Sequence, residues 1–415
     1  FTAFRHRFMK HEIFIDANEG ALALARSAYY GGRTECFKLG DIPNTIYCFD
    51  INSMYPYVMR EHDFPTKLIT HLTRVSVDDL RELVTKGQCI ASVELNTDQP
   101  AYAIRYETRL VFPIGRFRSY LATPEILYAL EHNHIESVNE VAVYESAPLF
   151  VDHINYFWDK RLEAKRKGNE TDVYLYKIMM NGFYGKWGQN GRKFSDIGEA
   201  PISEVSSWSE WDVDTQTMRK FRKFGGVIQE ESKDAEGRDS HPAIASHITA
   251  YSRLYLFQLI EVAGRENVVY CDTDSLFVNA VGRDRLASYC GEELGQLKLE
   301  WTSEKVQIRD NKDYSVLSEE GKWIAKIKGV RKTAAKVIWQ GEALHVTFIP
   351  IESLTFNVFR QVRFQSIKGK MREGNLNQQK ITPIVKHYAR QYKKGVVGDD
   401  GVISPFVFPL ENVPV

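Results

Sequence analysis

Three aspartates in strand-like surroundings are the residues of this chain best suited to bind a divalent metal ion. Asp272 and Asp274 lie at the polar tip between two apolar runs, Val268–Cys271 and Leu276–Val278, a pattern that predicts a β-hairpin. Side chains two residues apart on an extended chain point to the same side, so both carboxylates are expected to face one site. The run has no Lys or Arg, which makes a divalent cation the natural partner. A polar hairpin turn is the alternative, since Asp is common in turns.

Asp50 is the third candidate ligand. It lies within Ile46–Ile51, an apolar run typical of a buried strand. A carboxylate there is costly to bury without a partner, and a metal ion would supply one. The alternative is that Asp50 caps a helix over residues 53–60, with Pro56 in its first turn.

Two helices are predicted at about residues 152–167 and 171–184, and the short break between them implies an antiparallel pair. Such a pair would form a cationic cradle suited to a triphosphate, with an aromatic ring for a base or sugar. A solvated basic face is the alternative. The residues concerned are Arg161 and Lys165 on the first helix, and Lys177, Asn181 and Tyr184 on the second.

Glycine-rich and basic stretches point to contact with a polymer backbone. The helix that starts at Glu19 ends at Tyr29–Arg33, where two glycines allow a close approach; a plain helix stop is the alternative. The run Lys322–Lys336 has six basic residues and no acidic one, and further basic residues cluster in 360–372 and 386–394. The C-terminal third is therefore predicted to form a nucleic-acid surface.

Composition sets wider bounds. The chain has 415 residues, 43% of them hydrophobic, which predicts a folded protein of two to four subdomains. Lys+Arg and Asp+Glu are both 54, so the net charge is zero. The five cysteines form no CxxC pair, so reduced thiols are expected rather than disulfides or a zinc site. There is no signal peptide and no apolar run of transmembrane length. Because the chain starts at Phe1 rather than Met, we expect a fragment or processed piece that lacks an upstream domain.

These parts together suit nucleotidyl transfer. Two divalent metals between Asp50 and the Asp272/Asp274 pair would activate a primer hydroxyl and stabilise a leaving pyrophosphate. The cationic helix pair would align the phosphates for in-line attack.

The same residues resemble the motifs of family B DNA polymerases. Asp50-Ile-Asn-Ser-Met-Tyr-Pro56 resembles the first polymerase motif, Lys177-Ile-Met-Met-Asn181-Gly182-Phe-Tyr184-Gly185 the second, and Tyr270-Cys-Asp272-Thr-Asp274-Ser275 the third. Three accessory elements also match: Tyr29–Gly32 resembles a Tyr-x-Gly-Gly element, Thr249 to Arg253 a template-binding Thr/Arg motif, and Lys312-Asp-Tyr314 a primer-strand Lys-x-Tyr motif. The set is similar to the protein-primed branch of bacteriophages, linear plasmids and self-replicating elements.

The resemblance implies a role for each residue. Asp50 and Asp274 would be the principal metal ligands, with the backbone carbonyl of Ile51 completing the site and Asp272 in support. Tyr55 would be the steric gate against a ribose 2′-hydroxyl. Arg161, Lys165 and Lys177 would hold the triphosphate, and Asn181 and Tyr184 would shape the pocket for the nascent base pair. The DNA-binding residues would be Tyr29, Gly31, Gly32, Arg33, Thr249 and Arg253 near the template, Lys312 and Tyr314 near the primer, and Lys328, Arg331 and Lys332.

The chain also departs from the family pattern. Gly182 stands where the family usually has Ser, so a hydroxyl contact there is in doubt. There is no convincing proofreading exonuclease motif, and only 28 residues precede Tyr29. We expect either that this domain was removed or that it never existed.

The predicted fold class is α+β, a polymerase right hand with an antiparallel palm sheet, helical fingers, a small thumb and two insertions. The expected segments are 1–44 (N-terminal remnant), 45–75 (palm), 76–150 (insertion 1, contacting terminal protein or DNA), 151–187 (fingers), 188–242 (insertion 2, for processivity or strand displacement), 243–310 (palm) and 311–415 (thumb and C-terminal DNA-binding region).

The predicted function is DNA-templated DNA polymerisation for a viral or mobile-element genome, with protein-primed or primer-independent initiation. The expected cofactor is two Mg²⁺ ions, with Mn²⁺ as a substitute, and the expected partners are primer-template DNA, dNTPs and a terminal protein primer. We expect a monomer in the host cytoplasm or nucleoid, without membrane contact. The alternatives are a two-metal nuclease and a catalytically silent DNA-binding scaffold. Fidelity, processivity, priming mode and the genome served are not determined by the sequence.

Overall fold

The three aspartates meet in one antiparallel five-stranded sheet, here called the central sheet. The structure is a computed structural model that describes residues 2–189, 193–232, 240–328, 333–340, 343–350, 358–365, 381–387 and 391–409. The predicted hairpin forms the middle of this sheet, and the strand with Asp50 lies directly beside it. The strand order is Thr34–Cys36, Val268–Asp272, Ser275–Val278, Ile46–Ile51 and Leu297–Ser303.

A long helix, Pro242–Ala263, organises the core around the central sheet. It is apolar on all sides, as is typical of a helix buried along its length. Leu256, Leu259 and Ile260 pack against the central sheet, whereas Phe257 packs into the core of a second sheet. The strand order of this second sheet is Val407–Phe408, Ile114–Ala122, Gln88–Thr97, Ile135–Ala147 and Phe64–Thr73.

Two compact units make up the chain. The first comprises residues 1–188, 241–328 and 391–415, and the second comprises 189–240 and 329–390. Residues 76–150 thus group with the central sheet and share the core around Phe257. The seven segment boundaries given above stay predictions.

The remaining elements of the first unit surround these two sheets. A third sheet has the order Trp323–Lys326, Asp313–Leu317, Val306–Asp310 and Gly40–Ile42, and two short hairpins join Ile104–Tyr106 to Arg109–Val111 and Val396–Val397 to Ile403–Ser404. The helices are Thr2–Arg7, Glu19–Ala28, Met54–Glu61, Val77–Lys86, Thr123–Glu131, Val151–Arg166, Glu170–Asn181, Tyr184–Trp187 and Ala280–Arg285, with short 3₁₀ turns at Arg265–Asn267 and Ala287–Tyr289.

The second unit is built of antiparallel strands in its described part. One sheet has the order Lys193–Glu199, Val227–Ser232, Thr217–Phe224 and Ser206–Asp212. Two hairpins pair Thr333–Gln340 with Ala343–Pro350 and Val358–Phe364 with Ile381–His387.

The predicted helix pair is present, with one change. The first helix spans Val151–Arg166, and Asn169 caps the second by accepting a hydrogen bond from the backbone N–H of Asp172. The second helix ends at Asn181, and Tyr184 begins a separate short helix. The single helical face expected to hold Lys177, Asn181 and Tyr184 is therefore interrupted before Tyr184.

No helix among the described residues is both long and apolar enough to cross a membrane. All five cysteines, Cys36, Cys48, Cys89, Cys271 and Cys290, are free thiols, as the sequence predicted.

Candidate active site

Asp50 and Asp274 are neighbours across two paired strands. Asp50 stands opposite Ser275, and the backbone N–H of Ile51 donates to the backbone carbonyl of Asp274 at 2.7 Å. Burial first, and then the charge of Asp274, raise the pKa of Asp50 to about 7. Burial also raises the pKa of Asp274. Both carboxyls therefore lie in surroundings that disfavour their ionised forms.

Asp272 differs from the other two aspartates because it has cationic partners. Its carboxylate forms ion pairs with Lys312 at 3.0 Å and Lys326 at 3.3 Å, and accepts a hydrogen bond from the Thr34 hydroxyl at 3.2 Å. Burial would raise the pKa of Asp272, but the two lysines outweigh it and hold that pKa below its usual value. Asp272 is therefore already neutralised by the protein.

The geometry of the hairpin tip corrects one step of the sequence argument. Asp272 and Asp274 were expected to share a side because residues i and i+2 of an extended strand do so. Thr273 instead has a left-handed backbone, with a φ of 64°, and the N–H of Asp274 donates to the carbonyl of Asp272 at 2.7 Å. The two aspartates lie on either side of a tight turn, which allows them different partners.

The residues present fit a magnesium site in which the protein supplies part of the ligands and the substrate supplies the rest. Within the described ranges, no three His, Cys, Asp or Glu side chains converge as a metal cage. Magnesium, however, is usually held by one or two carboxylates together with substrate phosphates and water. Asp50 and Asp274 supply two under-compensated carboxylates, as that arrangement requires. The predicted role of the Ile51 carbonyl stays a prediction.

The predicted triphosphate-binding cations differ in the groups with which they interact. The charge of Lys177 lowers the pKa of both Asp50 and Asp274, so it acts on this site. Arg161 reaches the same region, because its guanidinium donates to the Ser53 hydroxyl at 3.4 Å. Lys165 is instead engaged in an exposed ion pair with Glu292 at 3.3 Å.

Three tyrosines form an aromatic group beside the cations. The rings of Tyr55 and Tyr184 lie 4.1 Å apart between centroids, tilted by 33°. Burial is the main cause that raises the pKa of the Tyr29 hydroxyl, and the nearby Tyr184 raises that pKa further. Asn181, the last residue of the helix Glu170–Asn181, is half-buried, and Gly182, which follows it, is exposed. The structure thus brings the predicted nucleotide pocket together at Tyr55 and Tyr184.

The segment Tyr29–Arg33, here called the template loop, is held by arginines. Arg253 donates to the carbonyls of Tyr30 and Gly31, at 3.1 and 3.2 Å. Arg105 donates to the carbonyls of Ser27 and Tyr29, at 2.7 and 2.6 Å.

Three residues expected to contact DNA have buried side chains, and their role in DNA binding stays a prediction. Arg33, Thr249 and Arg253 are each 1% exposed. Arg33 pairs with Glu35 at 2.5 Å, and the Thr249 hydroxyl donates to carbonyls of its own helix. Arg253 thus holds the template loop from its buried side, and Gly31 itself is exposed.

The template loop also touches the tip of the carboxylate hairpin. The N–H of Thr273 donates to the carbonyl of Arg33 at 2.7 Å. A Cβ atom placed on Gly32 would lie 2.8 Å from the Thr273 methyl group, whereas one placed on Gly31 would meet nothing within 4 Å. Gly32 is therefore required for a close approach between loop and hairpin.

The predicted primer-strand residues flank Asp272. The half-exposed Lys312 pairs with it directly, and Tyr314 packs its ring 5.4 Å from that of Tyr270. Lys328 is exposed, while Arg331 and Lys332 lie outside the described residues. Lys394, part of the predicted basic surface, instead donates to the Thr34 carbonyl at 2.7 Å, and burial lowers its pKa.

Sequence reasoning missed four residues of this site. Each contacts a predicted residue from a distant part of the chain, and no local motif indicates that contact, although Lys326 belongs to the basic run Lys322–Lys336. They are Thr34 and Lys326 at Asp272, Arg105 at the template loop, and Glu125, which pairs with Arg253 at 2.8 Å.

Comparison with known proteins places the chain among polymerases. A family model described as DNA polymerase type B, organellar and viral, matches residues 1–260. A probable DNA polymerase of Neurospora intermedia is 24% identical over 348 residues, which cover 79% of this chain and 34% of that protein. The DNA-directed DNA polymerase of Enterobacteria phage PRD1 is 25% identical over 302 residues, covering 70% of this chain and 50% of the phage protein.

The chain therefore spans only a third to a half of the length of these relatives.

Among solved structures, Phi29 DNA polymerase complexed with primer-template DNA and incoming nucleotide substrates is similar in fold. Its TM-score is 0.59 at 16% identity, covering 85% of this chain and 66% of that chain. The predicted α+β polymerase fold with an antiparallel sheet is confirmed.

The pKa shifts predict opposite pH effects for two aspartates in the metal-free protein. The raised pKa of Asp50 means that stability falls as pH rises from about 4 towards 7. Asp50→Asn should therefore be more stable than wild type at pH 8, by about 1–2 kcal/mol after allowance for solvent screening. The lowered pKa of Asp272 contributes stability above pH 4, so Asp272→Asn should lose about 1 kcal/mol at pH 8.

Urea unfolding with a chelator at pH 4 and pH 8 measures both effects. Asp50→Asn should approach wild type at pH 4, where the Asp50 carboxyl is protonated in the native protein and partly protonated in the unfolded chain. The destabilisation of Asp272→Asn should disappear only below pH 4, as the pH falls through the lowered native pKa of that carboxyl. Shifts of the same sign at pH 8 would contradict the assignment of different environments to Asp50 and Asp272.

Two adjacent glycines should tolerate alanine very differently. Gly32→Ala places a methyl group against the stiff, β-branched Thr273 and should lower the free energy of unfolding by about 1–3 kcal/mol. Gly31→Ala is the matched control, because open space surrounds it, and should stay within about 0.5 kcal/mol of wild type. Equal effects in urea unfolding would show that the loop and the hairpin tip are not tightly packed.

Proposed function

Since the chain belongs to the type B DNA polymerases of organelles and viruses, we propose that it is a DNA-templated DNA polymerase that adds dNTPs to a primer 3′-hydroxyl. The observation that supports this most directly is the pair of under-compensated carboxylates, Asp50 and Asp274, beside Lys177. Magnesium would match the negative charge of the two carboxylates, and a phosphate-bearing substrate would match the positive charge of Lys177.

The cations of the fingers-like helices would bind the triphosphate of the incoming nucleotide. The charge of Lys177 already acts on the carboxylates, and Arg161 donates to the hydroxyl of Ser53, three residues after Asp50. Because the phosphates and the primer end must be aligned, fixed cations contribute both positioning and charge stabilisation. Lys165 would join them after leaving its exposed partner Glu292, an exchange that costs little at the surface.

Asp50 and Asp274 would hold the metal ions, together with the carbonyl of Ile51. Magnesium, or manganese in its place, would activate the primer hydroxyl and stabilise the leaving pyrophosphate when bound. Asp272 would stay paired with Lys312 and Lys326 and so set the position of the hairpin without adding a third uncompensated charge to the site.

The paired rings of Tyr55 and Tyr184 would select the nucleotide. Tyr55 would stand beside the sugar, and its contact with Tyr184 at 4.1 Å would limit its movement away from a 2′-hydroxyl. Asn181 and Tyr184 would border the nascent base pair.

Primer-template DNA and dNTPs would be the principal partners, as for the Phi29 complex named above. The exposed Gly31 would face the template, and Lys312, Tyr314 and Lys328 would face the primer strand. Initiation on a terminal protein hydroxyl, or without a primer, would suit a viral or mobile genome in the host cytoplasm or nucleoid.

Replacing a metal-binding aspartate tests this function. Asp274→Asn should reduce Mg²⁺-dependent primer extension by at least about 100-fold, because a carboxylate aimed at the reacting phosphates is lost. Asp78→Asn, at an exposed helix start, is the control and should extend like wild type. Product length on gels and release of pyrophosphate report the reaction. Robust extension by Asp274→Asn would exclude the proposed metal role, and nucleotide release by wild type would indicate a nuclease instead.

Sugar selection should depend on the ring of Tyr55. Tyr55→Val removes the ring and should lower discrimination against ribonucleotides by about 10–100-fold. Tyr55→Phe keeps the ring and its contact with Tyr184, so it should discriminate like wild type. The ratio of kcat/KM for dCTP and CTP measures this, and an unchanged ratio in Tyr55→Val would remove Tyr55 as the gate.

A further inference from the structure

A buried ion pair joins the long helix to the helix Thr123–Glu131. The side chains of Arg253 and Glu125 are 1% and 2% exposed. One carboxylate oxygen, Oε1, accepts hydrogen bonds from Nε at 3.1 Å and from Nη2 at 2.8 Å. Replacing a buried ion pair by apolar residues is often neutral or stabilising, so a stabilising role alone is a weak account of it.

The pair leaves the third nitrogen of the guanidinium directed at the template loop. Nη1 of Arg253 donates to the carbonyls of both Tyr30 and Gly31. The guanidinium is a rigid planar fork, so the direction of Nη1 is set once Nε and Nη2 are bound. Glu125 therefore determines where Arg253 holds the loop.

Glu125 is itself oriented by its helix. Its second oxygen, Oε2, accepts from the backbone N–H of Ala122 at 3.4 Å, at the start of the helix. A glutamine here would present an oxygen on one side only. Either its amide NH₂ would face the N–H of Ala122, or it would face the guanidinium of Arg253. Only a carboxylate accepts on both sides.

The held carbonyls matter for a negatively charged strand. The carbonyl oxygens of Tyr30 and Gly31 point at Arg253, and those of Ser27 and Tyr29 point at Arg105. Oxygens engaged by arginines are not turned towards a phosphate backbone, where they would repel it. Gly31 is exposed in open space, so a strand can approach the loop there.

We propose that Glu125 is a positioning residue for the template strand, acting through Arg253 on the backbone of Tyr30 and Gly31. This inference rests on the proposed polymerase function. It assigns a specific residue and a specific role in template binding to residues 76–150, a segment that the sequence predicted only in general to contact terminal protein or DNA. The template loop is also connected to the carboxylate hairpin, because the backbone carbonyl of Arg33, at the end of the loop, accepts a hydrogen bond from the N–H of Thr273.

The test compares template binding with nucleotide binding in Glu125→Gln. The dissociation constant for a fluorescent single-stranded oligodeoxynucleotide, measured by anisotropy, should rise by about 10-fold to 100-fold, as expected for a displaced binding loop. The KM for dNTP should change less than about threefold at saturating primer-template, since the carboxylates and Lys177 lie on other elements. Hydrogen exchange measured by mass spectrometry should accelerate in peptides that cover residues 27–34.

Leu130→Ala is the matched control, because it removes a buried side chain from the same helix without touching Arg253. If it weakens template binding as much as Glu125→Gln, the role of Glu125 is merely structural and the inference fails. If Glu125→Gln does not fold, Glu125→Asp, which keeps the charge but shortens its reach, replaces it. Wild-type template affinity and wild-type exchange in residues 27–34 in a folded variant would overturn the inference.

Failure of the proposed function gives a different result. In that case wild type neither extends a primer nor binds template, while hydrogen exchange in residues 27–34 still decides whether Glu125 holds the loop. Loss of loop protection in Glu125→Gln, together with selective loss of template affinity, supports the inference.

Discussion

The burial of two neighbouring carboxylates, which disfavours their charged forms and strengthens the repulsion at this site, is the constraint on which the rest of the site depends. Asp50 and Asp274 are brought together by strand pairing, and their raised pKa values show that the protein compensates their charges incompletely. The charge of Asp272 also raises the pKa of Asp274, although Lys312 and Lys326 compensate Asp272 itself and hold its own pKa below the usual value. The arrangement leaves two carboxylates for an external cation and reserves the third for holding the hairpin.

The surrounding elements keep this repulsion from separating the strands. The long helix Pro242–Ala263 packs its apolar residues beneath the central sheet and, through Phe257, into the second sheet as well. Its Arg253 holds the template loop, and the template loop packs Gly32 against Thr273 at the hairpin tip. Backbone hydrogen bonds and close packing therefore meet at the turn where the charges are concentrated.

Several features of the site were predictable because they are local. The hairpin at Val268–Asp272 and Ser275–Val278 follows from two β-prone runs around a polar tip. The resemblance of the motifs around Asp50, Lys177 and Asp272 to family B polymerases also led to the correct family. The rule that residues i and i+2 of an extended strand point to the same side did not apply at the hairpin tip. The left-handed backbone of Thr273 gives Asp272 and Asp274 different surroundings.

The sequence by itself determined which residue types could do the chemistry and the elements on which they lie. Tertiary structure alone decided their partners, since Glu125 lies 128 positions from Arg253 and Lys326 lies 54 from Asp272. It also decided that the side chains of Arg253 and Arg33 are buried. The physical reason is that charge compensation and burial depend on distance in space, which periodicity and motif spacing along a chain do not encode.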